Sequence, residues 1–96
     1  MLYDNLAVNE QGHLTVGGLD TVALAEEFGA PLYVLDEDKL RENCRTYVQA
    51  LRENMPEGSY PLFAGKALCF KGLYPVLNEE GMGADVVSPG EIYTAL

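Results

Sequence analysis

Two short apolar runs constrain the fold of this chain: PLFAG at residues 61–65 and MGADVV at residues 82–87. Neither run alternates apolar with polar side chains, and such continuous apolarity is typical of parallel strands that are covered on both faces. Residues 70–80 between them read as a helix that Gly81 closes and whose start Pro75 delays or kinks. SPGEIYTAL then begins another helix, so the order strand, helix, strand, helix predicts a parallel α/β fold.

The segment that precedes these runs predicts a hairpin, a helix and a strand. NLAVNEQGHLTVGGLD, residues 5–20, alternates apolar with polar residues on either side of a turn, and this pattern predicts a β-hairpin with His13 pointing to solvent. Asp20 is placed as the N-cap of a helix that ends at Phe28, with Gly29 as its stop. LYVLD, residues 32–36, reads as a short strand.

A longer helix is predicted over residues 37–54, with Asp36 as its cap. Its apolar residues fall on one stripe at helical spacing, which predicts the face that packs into a core. The members of the stripe are Leu40, Cys44, Tyr47, Val48 and Leu51. Core packing explains Cys44 better than reactivity does, because the thiol lies inside the stripe.

The charge and the cysteine content exclude several classes of function. Fifteen Asp and Glu against six Lys and Arg give a net charge of -9, and such a chain repels phosphate backbones and anionic lipid, so neither nucleic acid nor membrane is an expected partner. Cys44, Cys69 and the single histidine show no metal-ligand spacing, so we expect no metal site and no disulfide scaffold. No cationic leader and no run of about 18 apolar residues is present, which favours a cytoplasmic, soluble protein.

Lys66 follows the first apolar run directly and is the leading candidate for chemistry. The C-terminal ends of parallel barrel strands point to the face where α/β barrels build their active sites. A lysine amine in such a pocket can form a Schiff base with a carbonyl group. On position alone, an ordinary strand-end lysine whose amine reaches water is the alternative.

Two acids strengthen the functional reading of Lys66. Asp85 lies in the second apolar run, where an unpaired carboxylate would be costly, and Glu91 follows it. Neighbouring strands lie about 5 Å apart, so we expect both acids to share a pocket with Lys66. Glu91 also completes an S-x-x-E capping box that begins at Ser88, and capping is compatible with a role in the site.

Three motifs in order resemble one enzyme family: PLYVLDEDKLRENCRTY, PLFAGKAL and EEGMGADVVSPGEIYTAL. Together they resemble the N-terminal part of the diaminopimelate decarboxylases, which are pyridoxal-phosphate-dependent enzymes with an alanine-racemase-like barrel. The resemblance implies that residues 31–96 hold the first two βα units of a (β/α)8 barrel that binds pyridoxal phosphate. Residues 1–30 would be a hairpin and a short helix associated with a second, β-rich domain.

The resemblance also implies roles for single residues. Lys66 matches the lysine that forms a Schiff base with pyridoxal phosphate, and Asp85 matches an acid near that lysine and the cofactor. Glu91 matches the acid that helps to hold the charge and geometry of the lysine. Ala64 matches a small residue that lets the cofactor lie close to the sheet. The implied reaction converts meso-2,6-diaminopimelate to L-lysine, and the implied assembly is a homodimer with shared active sites.

Other readings stay open at this point. A decarboxylase of the same fold that acts on ornithine, arginine or carboxynorspermidine would carry the same motifs, and a non-catalytic remnant would need no partner for Lys66. Two strands are too few for an independent sheet, and a full barrel takes about 250 residues. We therefore expect the 96-residue chain to be the front piece of something larger, and to be inactive and poorly folded alone.

Overall fold

The computed structural model describes residues 3–96 as a mixed α/β protein with two small sheets. Its contacts divide the chain into two compact units, one that ends at Leu40 and one that begins at Arg41. The elements in chain order are β1 Leu6–Val8, β2 Leu14–Val16, β3 Leu19–Asp20, α1 Thr21–Phe28, α2 Glu37–Asn54, β4 Leu62–Ala64, α3 Leu73–Glu79, β5 Gly83–Asp85 and α4 Pro89–Ala95. No helix within residues 3–96 is long and apolar enough to cross a membrane.

The first unit contains the predicted hairpin and one strand more. β1 and β2 pair antiparallel with Ala7 opposite Thr15, which confirms the hairpin. β3 adds a third strand on the far side of β2, with Thr15 opposite Asp20. The sequence did not predict this strand, because only two residues separate it from β2.

Asp20 connects the small sheet to α1. Its Oδ1 accepts hydrogen bonds from the backbone N–H groups of Val22, at 2.8 Å, and Ala23, at 3.3 Å, as the predicted N-cap should. Its Oδ2 lies 2.9 Å from His13 Nδ1 and accepts from Asn9 Nδ2 at 2.8 Å. The prediction that His13 points to solvent holds in part, because its side chain is 37% exposed but one ring nitrogen is bonded to Asp20. The hydrogen bond from His13 is the largest cause that lowers the pKa of Asp20 to about 2.

The predicted strand at residues 32–36 is absent. The segment has no ladder partner within residues 3–96, and a strand needs such a partner to pair its backbone N–H and C=O groups. The side chains of residues 32–35 are exposed, and Tyr33 is fully so. Asp36 nevertheless caps α2 as predicted, because its Oδ1 accepts from the backbone N–H of Lys39 at 3.1 Å.

The second unit builds its core from α2 and α3. Cys44, Leu73, Tyr74 and Leu77 are buried, which confirms Cys44 as a core residue, whereas Tyr47 is 61% exposed although it was predicted in the same stripe. The start of α3 at Leu73 places Pro75 in the first turn, where a missing N–H costs little.

One carboxylate ties the end of α3 to α2. Glu80 accepts from Arg45 Nε at 2.7 Å and from Arg41 Nη1 at 3.0 Å. These guanidinium groups lower the pKa of Glu80, and Arg45 is the larger cause.

The two apolar runs form a parallel pair, as their composition predicted. Leu62, Phe63 and Ala64 of β4 lie opposite Gly83, Ala84 and Asp85 of β5. Cover on both faces is not found within the described residues, since Leu62 is 55% exposed and only Phe63 and Ala64 are half-buried. The parallel pairing nevertheless positions the candidate site, because it brings the C-terminal ends of both strands to the same edge of the sheet.

We predict that Asp20→Asn destabilises the first unit at neutral pH. The carboxylate stabilises the native state above its unfolded pKa near 3.8, and this contribution is lost as the pH falls through the folded value of about 2. The stability difference between the wild-type chain and Asp20→Asn should therefore shrink between pH 4 and pH 2. Urea unfolding at several pH values, followed by the amide resonances of α1, measures it.

Glu10→Gln is the matched control for this prediction, because Glu10 is an exposed acid in the turn between β1 and β2. Its effect should be small at every pH. A difference for Asp20→Asn that stays constant from pH 7 to pH 2 would contradict the assigned interaction.

Candidate active site at the ends of two parallel strands

Lys66 lies where β4 ends. The chain leaves Ala64 in a single 3₁₀ turn, Gly65–Ala67, and this turn carries Lys66 at its centre. Parallel pairing places Ala64 directly opposite Asp85, the last residue of β5. Lys66 is exposed, and its amine forms no ion pair within residues 3–96. The amine is therefore accessible to a small molecule that reaches this edge of the sheet.

Asp85 does not lie in the apolar environment that its neighbours in the sequence predicted. It is exposed, as is Ala84 before it. The physical reason is that an apolar run becomes a buried strand only where other elements cover it, and within residues 3–96 β5 pairs with β4 alone. The structure thus brings Asp85 to the strand end that Lys66 follows, but the two side chains form no ion pair.

Glu91 is the buried acid of this region. It lies in the first turn of α4, and its backbone N–H donates to Ser88 Oγ at 3.1 Å, with Pro89 at the first helical position. The predicted N-cap is therefore confirmed. The return bond of a capping box would go to the N–H of Ser88, but here Glu91 Oε2 accepts from the N–H of Val87 at 3.1 Å instead.

The other carboxylate oxygen of Glu91 has no partner. Glu91 is 9% exposed, and its Oε1 is buried without a hydrogen bond. A buried polar atom in this state is costly and needs an explanation.

Gly65 lets the strand end approach Glu91 closely. A Cβ on Gly65 would lie 2.7 Å from Tyr74 Oη, 3.1 Å from Glu91 Oε1 and 3.6 Å from the carbonyl oxygen of Asp85. The absence of a side chain thus allows α3, α4 and the end of β5 to meet behind the turn that carries Lys66.

Tyr74 was not predicted to belong to this region. It is buried on α3, and its hydroxyl lies 3.8 Å from Cys69 Sγ. Burial raises the pKa of Tyr74, and the neighbouring Cys69 and Glu91 add to the effect, so the phenol keeps its proton at neutral pH. The only sequence signal for it was a tyrosine beside the leucines of a helix, and such a residue usually serves packing alone.

The amine of this arrangement can react with carbonyl compounds, and the neighbouring carboxylates can hold a negative charge beside the adduct that results. Lys66 supplies an exposed primary amine after β4, and Asp85 supplies an exposed carboxylate at the end of β5. The buried carboxylate of Glu91 lies behind Gly65. No group of three His, Cys, Asp or Glu residues in the described chain has a geometry that would hold a metal ion.

Comparison with known proteins supplies curated relatives of this chain. It is 46% identical to the diaminopimelate decarboxylase of Methanothermobacter thermautotrophicus over an alignment of 99 residues, which covers 99% of this chain and 22% of that protein. The enzymes of the same name from Synechocystis sp. and Bacillus methanolicus are 39% and 43% identical over 93% of this chain. No family model matches the chain.

A solved structure agrees with these relatives. The crystal structure of diaminopimelate decarboxylase from M. jannaschii in co-complex with L-lysine superposes on this chain with a TM-score of 0.77 at 34% identity. The superposition covers 96% of this chain and 22% of the M. jannaschii chain. The chain spans about a fifth of the length of the relatives it matches. The resemblance seen in the three sequence motifs is confirmed.

We predict that Gly65→Ala destabilises the second unit. The new Cβ would overlap Tyr74 Oη and crowd Glu91 Oε1, and overpacking of this kind costs about 1–3 kcal/mol. Urea unfolding monitored by the resonances of β4 and β5 measures the loss. Gly90→Ala is the control, because a Cβ there meets nothing closer than Ser88 Oγ at 3.8 Å. An unchanged midpoint for Gly65→Ala would contradict the close packing.

Proposed function

Since this chain is similar to diaminopimelate decarboxylases over nearly its whole length, we propose that it is the segment of such an enzyme that supplies the cofactor lysine. The cofactor is pyridoxal phosphate, and the reaction is the decarboxylation of meso-2,6-diaminopimelate to L-lysine. One observation carries the proposal: the alignment at 46% identity covers 99% of the chain, and so spans the motif that contains Lys66 and the motif that contains Asp85 and Glu91.

The residues at the strand ends fit this cofactor. Lys66 offers an accessible amine, which is the group that an aldehyde requires. Ala64 carries only a methyl group, so a flat ring could lie close to the end of β4. Glu91 Oε1 is a buried acceptor without a partner, as expected at a site where further groups bind.

Each residue would have a distinct task. Bound pyridoxal phosphate supplies an electron sink for the carbanion that remains when carbon dioxide departs. Lys66 holds the cofactor through its amine, and Asp85 places a negative charge at the neighbouring strand end, where it attracts a protonated amine. Glu91 fixes the start of α4 against β5 through its bond to the N–H of Val87.

The remaining parts of the proposal concern the intact enzyme. β4, α3, β5 and α4 would form the first two βα units of an eight-stranded barrel, with residues 31–96 in that domain and residues 1–30 attached to a β-rich second domain. The glycine-rich phosphate loop, the acid at the pyridine nitrogen and most substrate contacts would come from the rest of the chain. A cytoplasmic homodimer with shared sites would be the working form.

Two alternatives differ in their observable chemistry. A decarboxylase of the same fold would prefer ornithine, arginine or carboxynorspermidine, and carbon dioxide release from each substrate by the intact enzyme separates these cases. A non-catalytic remnant would leave Lys66 no more reactive than any exposed lysine. The similarity to several diaminopimelate decarboxylases favours the first reading.

We predict that pyridoxal phosphate forms an adduct preferentially on Lys66. Incubation followed by borohydride reduction and peptide mass mapping should find the label on Lys66 in excess of Lys39 and Lys71, the only other lysines. Lys66→Arg should remove the preferred label. Lys71→Arg is the matched control, because Lys71 is an exposed lysine five residues away, and it should leave labelling of Lys66 intact. Equal labelling of all three lysines would contradict the proposal.

We also predict that the 96-residue chain alone releases no carbon dioxide from meso-2,6-diaminopimelate. The chain offers the lysine and its neighbouring acids, but a full barrel takes about 250 residues. A radiometric assay with pyridoxal phosphate in excess measures the release. Turnover above that of Lys66→Arg would show that fewer residues suffice than we propose.

A further inference from the structure

Residues 32–35, the segment LYVL between α1 and α2, have the composition of a strand but no strand to pair with in the described chain. Within residues 3–96 their backbone N–H and C=O groups form no hydrogen bond. All four side chains are exposed, and Tyr33 is fully so. Unpaired peptide groups beside exposed apolar side chains are a template on which a further strand can form.

Asp36 holds the C-terminal end of this segment in place. Its Oδ2 accepts a hydrogen bond from Asn5 Nδ2 at 3.1 Å, and its Oδ1 accepts one from the N–H of Lys39 at 3.1 Å. Gly17 permits the approach, since a Cβ on Gly17 would lie 2.9 Å from Asp36 Oδ2. Because one end is fixed, less conformational freedom is lost when a partner strand binds, and the segment is partly preorganised.

A groove of about 380 Å³ adjoins the segment within the first unit. Its apolar members are Val16, Leu19, Val34 and Leu35, and its acidic members are residues 36–38. Lys39 follows these three acids, but its amine lies 2.8 Å from a fourth acid, Asp4. The acidic end of the groove therefore carries an excess of negative charge that a cation from a partner would neutralise.

A second copy of this chain does not supply such a cation. In an antiparallel pair of two such segments, Leu32 of one copy would lie opposite Leu35 of the other. The residues brought to the acids of each copy would then be residues 29–31, which are Gly, Ala and Pro and carry no charge. Two chains that each have a net charge of -9 also repel one another. The charges favour a basic strand as the partner.

We propose that residues 32–35 are the docking site for an extended, basic segment of the intact enzyme. This segment pairs with the backbone of residues 32–35, places an apolar side chain in the groove and sets a Lys or Arg side chain against Asp36 and Asp38. The rest of the enzyme is the source, since the chain spans about a fifth of its relatives. A tethered strand has a high effective concentration, so few contacts suffice. Only this source rests on the proposed function.

Hydrogen exchange tests the docking in the intact enzyme. In the 96-residue chain alone, the amides of residues 32–35 should exchange as fast as those of an unfolded peptide. In the intact enzyme every second amide should slow by about 100-fold or more, because a strand with one neighbour turns alternate N–H groups towards it. Fast exchange of all four amides in the intact enzyme, or equal slowing of all four, would overturn the proposal.

A peptide probe, acetyl-KVTVTV-amide, tests the same site on the 96-residue chain. NMR titration should shift the amide resonances of residues 32–38 and of the groove, and should leave α4 unchanged. The same peptide N-methylated at its valines cannot pair as a strand, and it should bind about tenfold more weakly or worse. No binding of the unmodified probe at millimolar concentration, or equal binding of the N-methylated probe, would overturn the proposal.

The charge contact is tested with Asp38→Asn. Asp38 is exposed in the first turn of α2, and its removal should weaken binding of the probe about threefold at low salt and reduce the salt dependence. Glu10→Gln is the matched control, because Glu10 is an exposed acid of the same unit outside the groove, and it should leave the affinity unchanged. Equal affinities of Asp38→Asn and the wild-type chain would contradict the charge contact.

Two further measurements separate this proposal from its alternatives. Sedimentation of the chain alone should find a monomer, and a dimer with slow exchange in residues 32–35 would make a second copy the occupant and overturn the proposal. Labelling of Lys66 by pyridoxal phosphate tests the proposed function separately. If Lys66 is preferred but residues 32–35 exchange fast in the intact enzyme, the docking fails alone. If the probe binds but Lys66 is not preferred, the proposed function fails and the strand site stands.

Discussion

The parallel pairing of β4 with β5 is the constraint on which the candidate site depends. Three residues on each strand fix the register, and this register sets Ala64 opposite Asp85. Because both strands run in the same direction, whatever follows them lies at the same edge of the sheet. The strand end that precedes Lys66 thus lies beside Asp85, although 18 other residues separate Lys66 from Asp85 in the chain. A one-residue slip would turn the side chains of β5 to the opposite face.

Close packing behind the strand ends depends on a residue without a side chain. Gly65 has Tyr74, Glu91 and the backbone of Asp85 as its neighbours, and a methyl group there would overlap the first of them. The buried carboxylate of Glu91 gains a bond from the N–H of Val87 and so joins α4 to the end of β5. Burial of a carboxylate is costly unless its oxygens accept hydrogen bonds. The residues around Glu91 therefore cannot be exchanged freely for others.

The few cationic groups of this acidic chain have different surroundings. Arg41 and Arg45 bind Glu80 and join α2 to the end of α3, which places the helix that contributes Tyr74. Lys39 binds Asp4 within the first unit at 2.8 Å. Lys66 has no such carboxylate partner in the described part of the chain and keeps its amine in solvent. A reactive amine needs this accessibility, whereas a structural cation does not.

The sequence by itself determined the elements whose signals are local. Asp20, Asp36 and Ser88 cap helices because a side-chain oxygen three residues or fewer from a free N–H needs no distant partner. Apolar composition likewise predicted β4 and β5, and three motifs indicated the resemblance to diaminopimelate decarboxylases.

Tertiary structure alone decided the features that depend on distant groups. Residues 32–36 have strand-like composition but no ladder partner, and Asp85 has apolar neighbours in sequence but an exposed side chain. His13 forms a hydrogen bond with Asp20, and Tyr74 lies beside Gly65 and Glu91. Burial and hydrogen bonding of this kind depend on which elements pack together in three dimensions, and residue spacing along the sequence does not specify that packing.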